Sequence, residues 1–470
     1  MRRAAVIGSG PNGLRAALQL IEYGYKVDIF EKNNTLGGGA RSAQITLKGL
    51  THDVCSSTHP FGPTSYSNSD LHPSLAEQIT WLKPPIQAAH PLKGTLGVSL
   101  FDDMEQTANQ LEYRRDRHLW RQLFRAPVEN FEDFARTLLY FKNFRSLRPL
   151  KYTLFMGACG LPVNLVSRMF VGQDAKALLA GLAAHSFRPF NSIASSAVGL
   201  SLAAAAQYSG WPVVEGGTGA LTNVLVQHLV KQGANIHRDI EVKSPKILSG
   251  FDLVMFDTSP SQATKILGSN LSVRSRARLQ KFKHAPGVFV GHFAVRQGIP
   301  WEYEPAQRAG TVHLGGDFKS IAKAEALINK GELPKRPFGL VSQQFIADRS
   351  RYKADSVPVD AYIHVPSGHS ENARELLISS IEAYAPGFRD RIIMQVFEDA
   401  TELESMNPNL RGGDVVGGEN SAQQLLTRPT LSLNPYKLGA PNAYICSAST
   451  FPGAGAHGMC GLNATLNLDN

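Results

Sequence analysis

The 470-residue chain holds only four cysteines, Cys55, Cys159, Cys446 and Cys460, and no two form a CxxC pair or a metal-binding spacing. That removes support from disulfide-reductase and zinc chemistry, and no metal is expected; reduced thiols in a cytoplasmic protein are the simplest reading. There is no low-complexity block and no internal repeat. Only Met1 and two arginines precede the first apolar run, so no signal peptide is read there. A charge-free window covers residues 189–214, but Ser192, Ser195, Ser196, Ser201, Gln207, Ser209 and Pro212 interrupt it. Its alanine-rich centre suits a close-packed internal helix better than a membrane span.

What is present points to a large globular protein. A chain of 470 residues with 43% hydrophobic content exceeds one ordinary core and predicts two intimately joined domains. The net charge of +9 permits nucleic acid, an anionic membrane surface or an acidic ligand. Much of that charge lies in Arg114, Arg115, Arg117, Arg121, Arg125, Arg136, Arg145 and Arg148. Asp102, Asp103, Glu105, Glu112 and Asp116 lie just upstream or between them, so a solvated, mixed-charge helical surface is expected. No nucleic-acid partner follows, though a basic face of this kind could rest beside an anionic membrane.

The stretch "RAAVIGSGPNGLRAALQLIEYGYKVDIFEK" reads as strand, tight turn, helix, strand. Residues 4–7 are uniformly apolar, as in a parallel strand buried on both faces. Gly8, Gly10 and Gly13 then form G-x-G-x-x-G. The first permits the turn, the second admits a pyrophosphate, and the third lets helix pack on strand. Pro11 occupies the opening turn, where a missing N–H costs nothing. Glu31 stands at the tip of the second strand to accept from ribose hydroxyls, with Asn12 and Lys32 beside the same ligand. With strand, helix and acid all in place, this is a dinucleotide site. "NNTLGGGARSAQ" follows directly and resembles the second signature of FAD-binding proteins, assigning Gly38, Gly39, Ala40, Arg41 and Ser42 to the cofactor.

Longer stretches resemble one family, the phytoene-desaturase-like flavoproteins, and within it the soluble branch related to pyridine nucleotide-disulphide oxidoreductase domain-containing protein 2. They are "DVCSSTHPFGPTS" (53–65), "PVVEGGTGALTNVLVQHLVKQGANI" (212–236), "NLRGGDVVGGENSAQQLLTRPTL" (409–431) and "NAYICSASTFPGAGAHGMCGLNAT" (442–465). The resemblance runs from residue 4 to 466, while 102–207 matches only in helical character. It implies an α/β fold in which a Rossmann-type FAD-binding domain (1–70, 210–285 and 410–470) is interleaved with a mixed sheet-plus-helices substrate domain (71–209 and 286–409). It places Ser56 near the flavin ring and Val242 against the adenine. The terminal loop would close over the ring, with Gly453, Gly455, His457, Gly458 and Met459 bringing a helix N-terminus to its pyrimidine edge.

Within that frame, 241–244 and 251–260 look like returning strands, and 287–295 and 360–366 look like strands of the second sheet. The glycines of "GGTGAL" (216–221) are expected to make a turn and helix start, not a nicotinamide site. Phe131, Phe134, Leu138, Phe141 and Phe144 recur at helical spacing and read as core. His457 and His59 are the candidate bases, since histidine titrates near neutrality; Cys460 and Cys55 read as small packing residues.

The function so implied is an FAD-dependent oxidoreductase taking a hydride from an apolar or amphipathic organic substrate. The reaction would be C–C or C–N desaturation, or redox-neutral isomerisation, with oxygen or a quinone reoxidising the flavin and NADPH playing no part. A flavin amine oxidase is one alternative. A prenyl-protein carrier of the GDP-dissociation-inhibitor type is another, disfavoured by Glu31 and the glycine-rich terminus.

Overall fold

In the computed structural model, which describes residues 2–67, 70–142 and 149–469, the apolar run at 4–7 becomes the strand Arg3–Ile7. Its alternate side chains enter two different cores. Ala4 and Val6 pack with the first helix, and Ala5 and Ile7 pack against the opposite layer. It is the centre of a five-stranded sheet ordered Ala443–Ile445, Leu253–Phe256, Arg3–Ile7, Lys26–Phe30, Asn235–His237. Every pairing in it is parallel.

The first helix, Pro11–Glu22, starts with proline at its first turn and buries Leu14, Ala17 and Leu18. Leu221, Leu225 and Leu229 of helix Thr218–Lys231 and Ala464 of helix Met459–Leu466 share that core. The terminal helix approaches so closely that a Cβ at Gly461 would overlap Asn12 O. One expected strand is absent. Residues 241–244 form an extended loop because Asp239, in the left-handed region at φ +56, turns the chain out of the sheet after Asn235–His237.

A seven-stranded mixed sheet is ordered Ile392–Glu398, Gly287–Arg296, Ser356–Val365, Gly339–Ser342, Ala309–Leu314, Ile86–Pro91, Gly97–Leu100. Only the Ala309–Leu314 and Ile86–Pro91 pair runs parallel. Helices including Arg114–Glu129, Phe131–Leu139, Gln173–Ala184 and Ala197–Ser209 form a core with residues from that sheet. Phe131 and Phe134 are buried in it and Leu138 packs against it, while Phe141 joins the core of the parallel sheet. Phe144, Arg145 and Arg148 lie outside the described residues.

The alanine-rich helix is internal, with Ala203, Ala204, Ala205 and Ala206 fully buried. On the arginine-rich surface Arg121 pairs with Glu105 and Arg136 with Asp70. Asp116 departs from the expected solvated face. It is buried and accepts the N–H groups of Val171 and Gly172. Among the described residues no helix is long and apolar enough to cross a membrane.

Candidate functional site

Two glycine turns meet at the C-terminal edge of the parallel sheet, and a single residue dictates the first. Asp257 follows strand Leu253–Phe256. A Cβ at Gly8 (φ +99) would come within 2.7 Å of its carbonyl oxygen, and one at Gly10 within 2.5 Å of its Oδ2. Gly13 donates its N–H to Oδ2 at 2.9 Å. Burial pushes the Asp257 carboxyl up to about 7, and the Glu31 charge adds to the effect.

Glu31 is 7% exposed. Its Oε2 accepts the Ser9 N–H at 3.0 Å and the Ser9 hydroxyl at 2.6 Å, and its Oε1 accepts the Asn33 N–H at 2.9 Å. The acid therefore braces the first turn and keeps acceptor capacity on Oε1. The second turn stacks on the first, since a Cβ at Gly38 would lie 3.0 Å from Gly10 Cα. Thr222 pins this turn by donating to Ala40 O at 2.6 Å. Arg41 is held by Gly38 O at 2.7 Å and Thr35 Oγ1 at 2.9 Å.

One cavity of about 490 Å³, within the range of cofactor and small-molecule sites, joins these turns to an apolar chamber. Of the residues singled out in the sequence, Gly8, Gly10, Pro11, Asn12, Glu31, Lys32, Gly38, Gly39, Ala40, Arg41, Ser56, Val242 and Gly455 line it. Its wall also carries His185, Phe187, Val198, Leu202, Trp211, His292, Leu340, Asp360, Tyr362, Ala454 and Ala456.

Gly13, Ser42, His59, Gly453, His457, Gly458 and Met459 stand behind the wall. Ser42 Oγ donates to Asp53 at 2.6 Å and accepts the Gly219 N–H at 2.9 Å, so the glycines at 216–219 close on the second turn as a helix start. His457 caps the terminal helix, its Nδ1 accepting the Met459 N–H at 3.1 Å. The N–H expected to face the flavin is thus satisfied internally. Burial takes the His457 pKa down to about 4 and that of His59, whose Nε2 bonds Thr218 Oγ1 at 3.0 Å, down to about 3. Neither lines the cavity, so neither is placed to act as a base there.

The histidines on the wall are others. His292 Nδ1 and His52 Nδ1 share Asp360 Oδ1 at 2.7 and 2.6 Å. Burial lowers the His292 imidazolium, but its hydrogen bond to Asp360 and the nearby Glu398 carboxylate, 3.9 Å from Nε2, more than offset that and leave it at about 9. One nitrogen or oxygen from each of His52, His292 and Asp360, the atoms that could hold a metal ion, lies within 4.8 Å of the other two. Their separations are hydrogen-bond lengths, with Asp360 Oδ2 taken by Gln344 at 2.9 Å. Behind the second turn, Arg351 is fully buried between Asp53 at 2.6 Å and Asp348 at 3.0 Å. Cys55, expected as a packing residue, instead exposes its side chain on the cavity wall, where the surrounding protein raises its thiol to about 11.

Residues 6–70 match the model of an NAD(P)-binding Rossmann-like domain. Over 98% of its length the chain is 23% identical to mouse pyridine nucleotide-disulfide oxidoreductase domain-containing protein 2, covering 92% of that protein. A 70-residue stretch, 15% of the chain and 12% of its counterpart, is 40% identical to 4,4'-diapophytoene desaturase of Staphylococcus aureus. An oxidoreductase from Methanosarcina mazei superposes over 99% of both chains with a TM-score of 0.64 at 14% identity. Putrescine oxidase bound to putrescine does so over 99% of this chain and 97% of its own, with a TM-score of 0.61 at 12% identity. The chain therefore carries an NAD(P)-binding-type Rossmann domain, is homologous to pyridine nucleotide-disulfide oxidoreductase domain-containing protein 2 and to diapophytoene desaturase, and has the fold of the amine oxidases.

Proposed function

We propose that the protein is an FAD-dependent oxidoreductase acting on an apolar or amphipathic organic substrate. The observation that carries this reading is the single cavity running from the dinucleotide turns to a chamber walled by Phe187, Leu202, Trp211 and Leu340.

The residues present fit FAD. Asn12 Oδ1 is a buried acceptor at the start of the first helix with no partner among the described residues. Glu31 keeps an acceptor for ribose, Arg41 and Lys32 supply positive charge for a diphosphate, and Val242 offers an apolar wall to the adenine. Residues 454–456 bring backbone to the other end. When bound, FAD supplies a hydride acceptor.

The chain's part is to orient the substrate, exclude water and manage the proton. The aromatic wall packs an apolar body. His292 sets one imidazolium on the wall, balanced by Asp360 and Glu398. The raised Cys55 thiol disfavours a thiolate nucleophile on this wall. The lining serves desaturation of a C–C or C–N bond, or isomerisation, with oxygen or a quinone as electron acceptor.

The test is anaerobic mixing of the FAD-loaded protein with benzylamine, putrescine, retinol, lycopene and NADPH, following the flavin band. Bleaching by an organic compound but not by NADPH is expected. Bleaching by NADPH at a turnover rate, with every organic compound inert, would overturn the proposal.

A further inference from the structure

Three histidines lead away from the chamber in single file. His185, the residue ending helix Gln173–Ala184, lines the cavity. Its Nε2 lies 3.0 Å from Nε2 of His313, on strand Ala309–Leu314. Beyond it stands His90, on the neighbouring strand Ile86–Pro91, with ring centroids 5.9 Å apart. His90 Nε2 lies 2.7 Å from Gly316 O. A carbonyl only accepts, so Nε2 of His90 carries the proton and its Nδ1 is bare when the ring is neutral.

The gap between His313 and His90 has a definite shape. Their Nδ1 atoms are both buried and have no hydrogen-bond partner among the described residues. Both point at the same spot over Gly181, where a built Cβ would lie 2.5 Å from His313 Nδ1 and 2.6 Å from His90 Nδ1. Glycine is the one residue that keeps this spot open. Two buried, unpartnered nitrogens facing the one small space that Gly181 leaves beside them are the setting in which a structural water bridges. Burial without a carboxylate partner lowers all three rings, His185 to about 3 and His90 to about 4, with His313 further depressed by its histidine neighbours. Three neutral imidazoles in contact can each take a proton on one nitrogen while releasing one from the other.

We propose that His185, His313 and His90, with one water held over Gly181, form a proton relay between the cavity and the Gly316 turn. The proposal rests on the oxidoreductase reading, in which an N–H or O–H proton must leave the substrate as the hydride does. In the outward direction the substrate N–H or O–H bond breaks, its electron pair stays on the substrate, and His185 Nδ1 takes the proton. His185 Nε2 passes its own to His313 Nε2, and His313 Nδ1 passes one to the water. The water gives one to His90 Nδ1, and His90 ends as an imidazolium whose Nε2–H stays on Gly316 O, 2.7 Å away at the half-buried turn. One proton leaves the substrate and one is gained by His90. His185 and His313 end neutral with their N–H moved to the other nitrogen.

The test is imidazole proton exchange in the full-length protein, labelled with 15N at histidine and transferred to deuterium oxide. The relay predicts neutral rings at His90, His185 and His313. It also predicts exchange at His313 that slows on the order of tenfold or more in Gly181→Ala, whose methyl group displaces the water, and in His90→Phe, which removes the last link. His52 and His292 act as internal controls and should keep their rates. If Gly181→Ala fails to fold, His90→Phe carries the comparison. Unchanged His313 exchange in a folded variant, or a charged ring among the three, overturns the relay. FAD content on the same samples separates the two claims. A flavin-holding protein with unchanged exchange overturns the relay alone, whereas slowed exchange in a chain that holds no FAD overturns the oxidoreductase reading and supports the proton path.

Discussion

Glu31 and Asp257 set the chemistry of the dinucleotide turn, and each makes a separate prediction. Glu31→Ala removes a ribose acceptor and also frees the Ser9 N–H and hydroxyl it holds. FAD affinity should fall by about 1.5–3 kcal/mol, the worth of a hydrogen bond to a charged group, in an equilibrium titration. Wild-type affinity in the variant would count against the ribose assignment. Asp257, with its carboxyl raised to about 7, holds its proton more tightly folded than unfolded. Its contribution is therefore fully present below an unfolded value near 4 and is lost as pH rises through about 7, at about 1.4 kcal/mol per pH unit in that window. Asp257→Asn should gain stability over wild type progressively from pH 5 to pH 8, read as the difference in melting temperature; a constant difference would contradict the assignment. The place of Glu31 on the cavity wall was legible because it lies about twenty residues from its glycines in a known order. Asp257 was not, because strand pairing brings it to Gly13 from 244 positions away. That His457 and His59 lie buried behind the wall was not legible, because no sequence pattern reports burial.

At the level of elements, the second glycine turn depends on a buried ion cluster. Arg351 bridges Asp53 and Asp348, and Asp53 in turn accepts from Ser42 and the Thr218 N–H. Arg351→Gln leaves two buried carboxylates short of their partner and should cost about 3–5 kcal/mol in denaturant unfolding. A cost below about 1 kcal/mol would show that the cluster does not hold the turn. The terminal loop behaves differently. Gly455 has φ +149 and a Cβ there would meet the His457 ring at 2.8 Å, yet the residue also faces the cavity. Gly455→Val should perturb the bound-flavin spectrum more than it lowers the melting temperature, and the reverse order would remove 454–456 from the site. The sequence located the first strand and the tip of the second to within a residue because periodicity and glycine signals agree there. It misread 241–244 because the left-handed turn at Asp239 has no glycine to announce it.

Over the whole molecule, the parallel sheet takes strands from 3–30, 235–256 and 443–445, and the mixed sheet takes them from 86–100 and 287–398. The cavity draws wall residues from both, Gly8 to Asn12 beside one and His292, Leu340 and Asp360 on strands of the other. The fold was legible through motifs that recur in order along the chain. The chamber was not, since His185, Trp211 and Leu340 belong to separated segments that only folding aligns.

The central claim is that this cavity holds FAD beside an organic substrate, and the most direct measurement is the absorption spectrum of the protein incubated with FAD and then freed of unbound cofactor. The account predicts a flavin band equivalent to one FAD per chain, retained through gel filtration and lost when the chain is truncated after Thr450. A colourless protein that retains a nicotinamide dinucleotide instead, or a truncated chain with an unchanged flavin band, would contradict it.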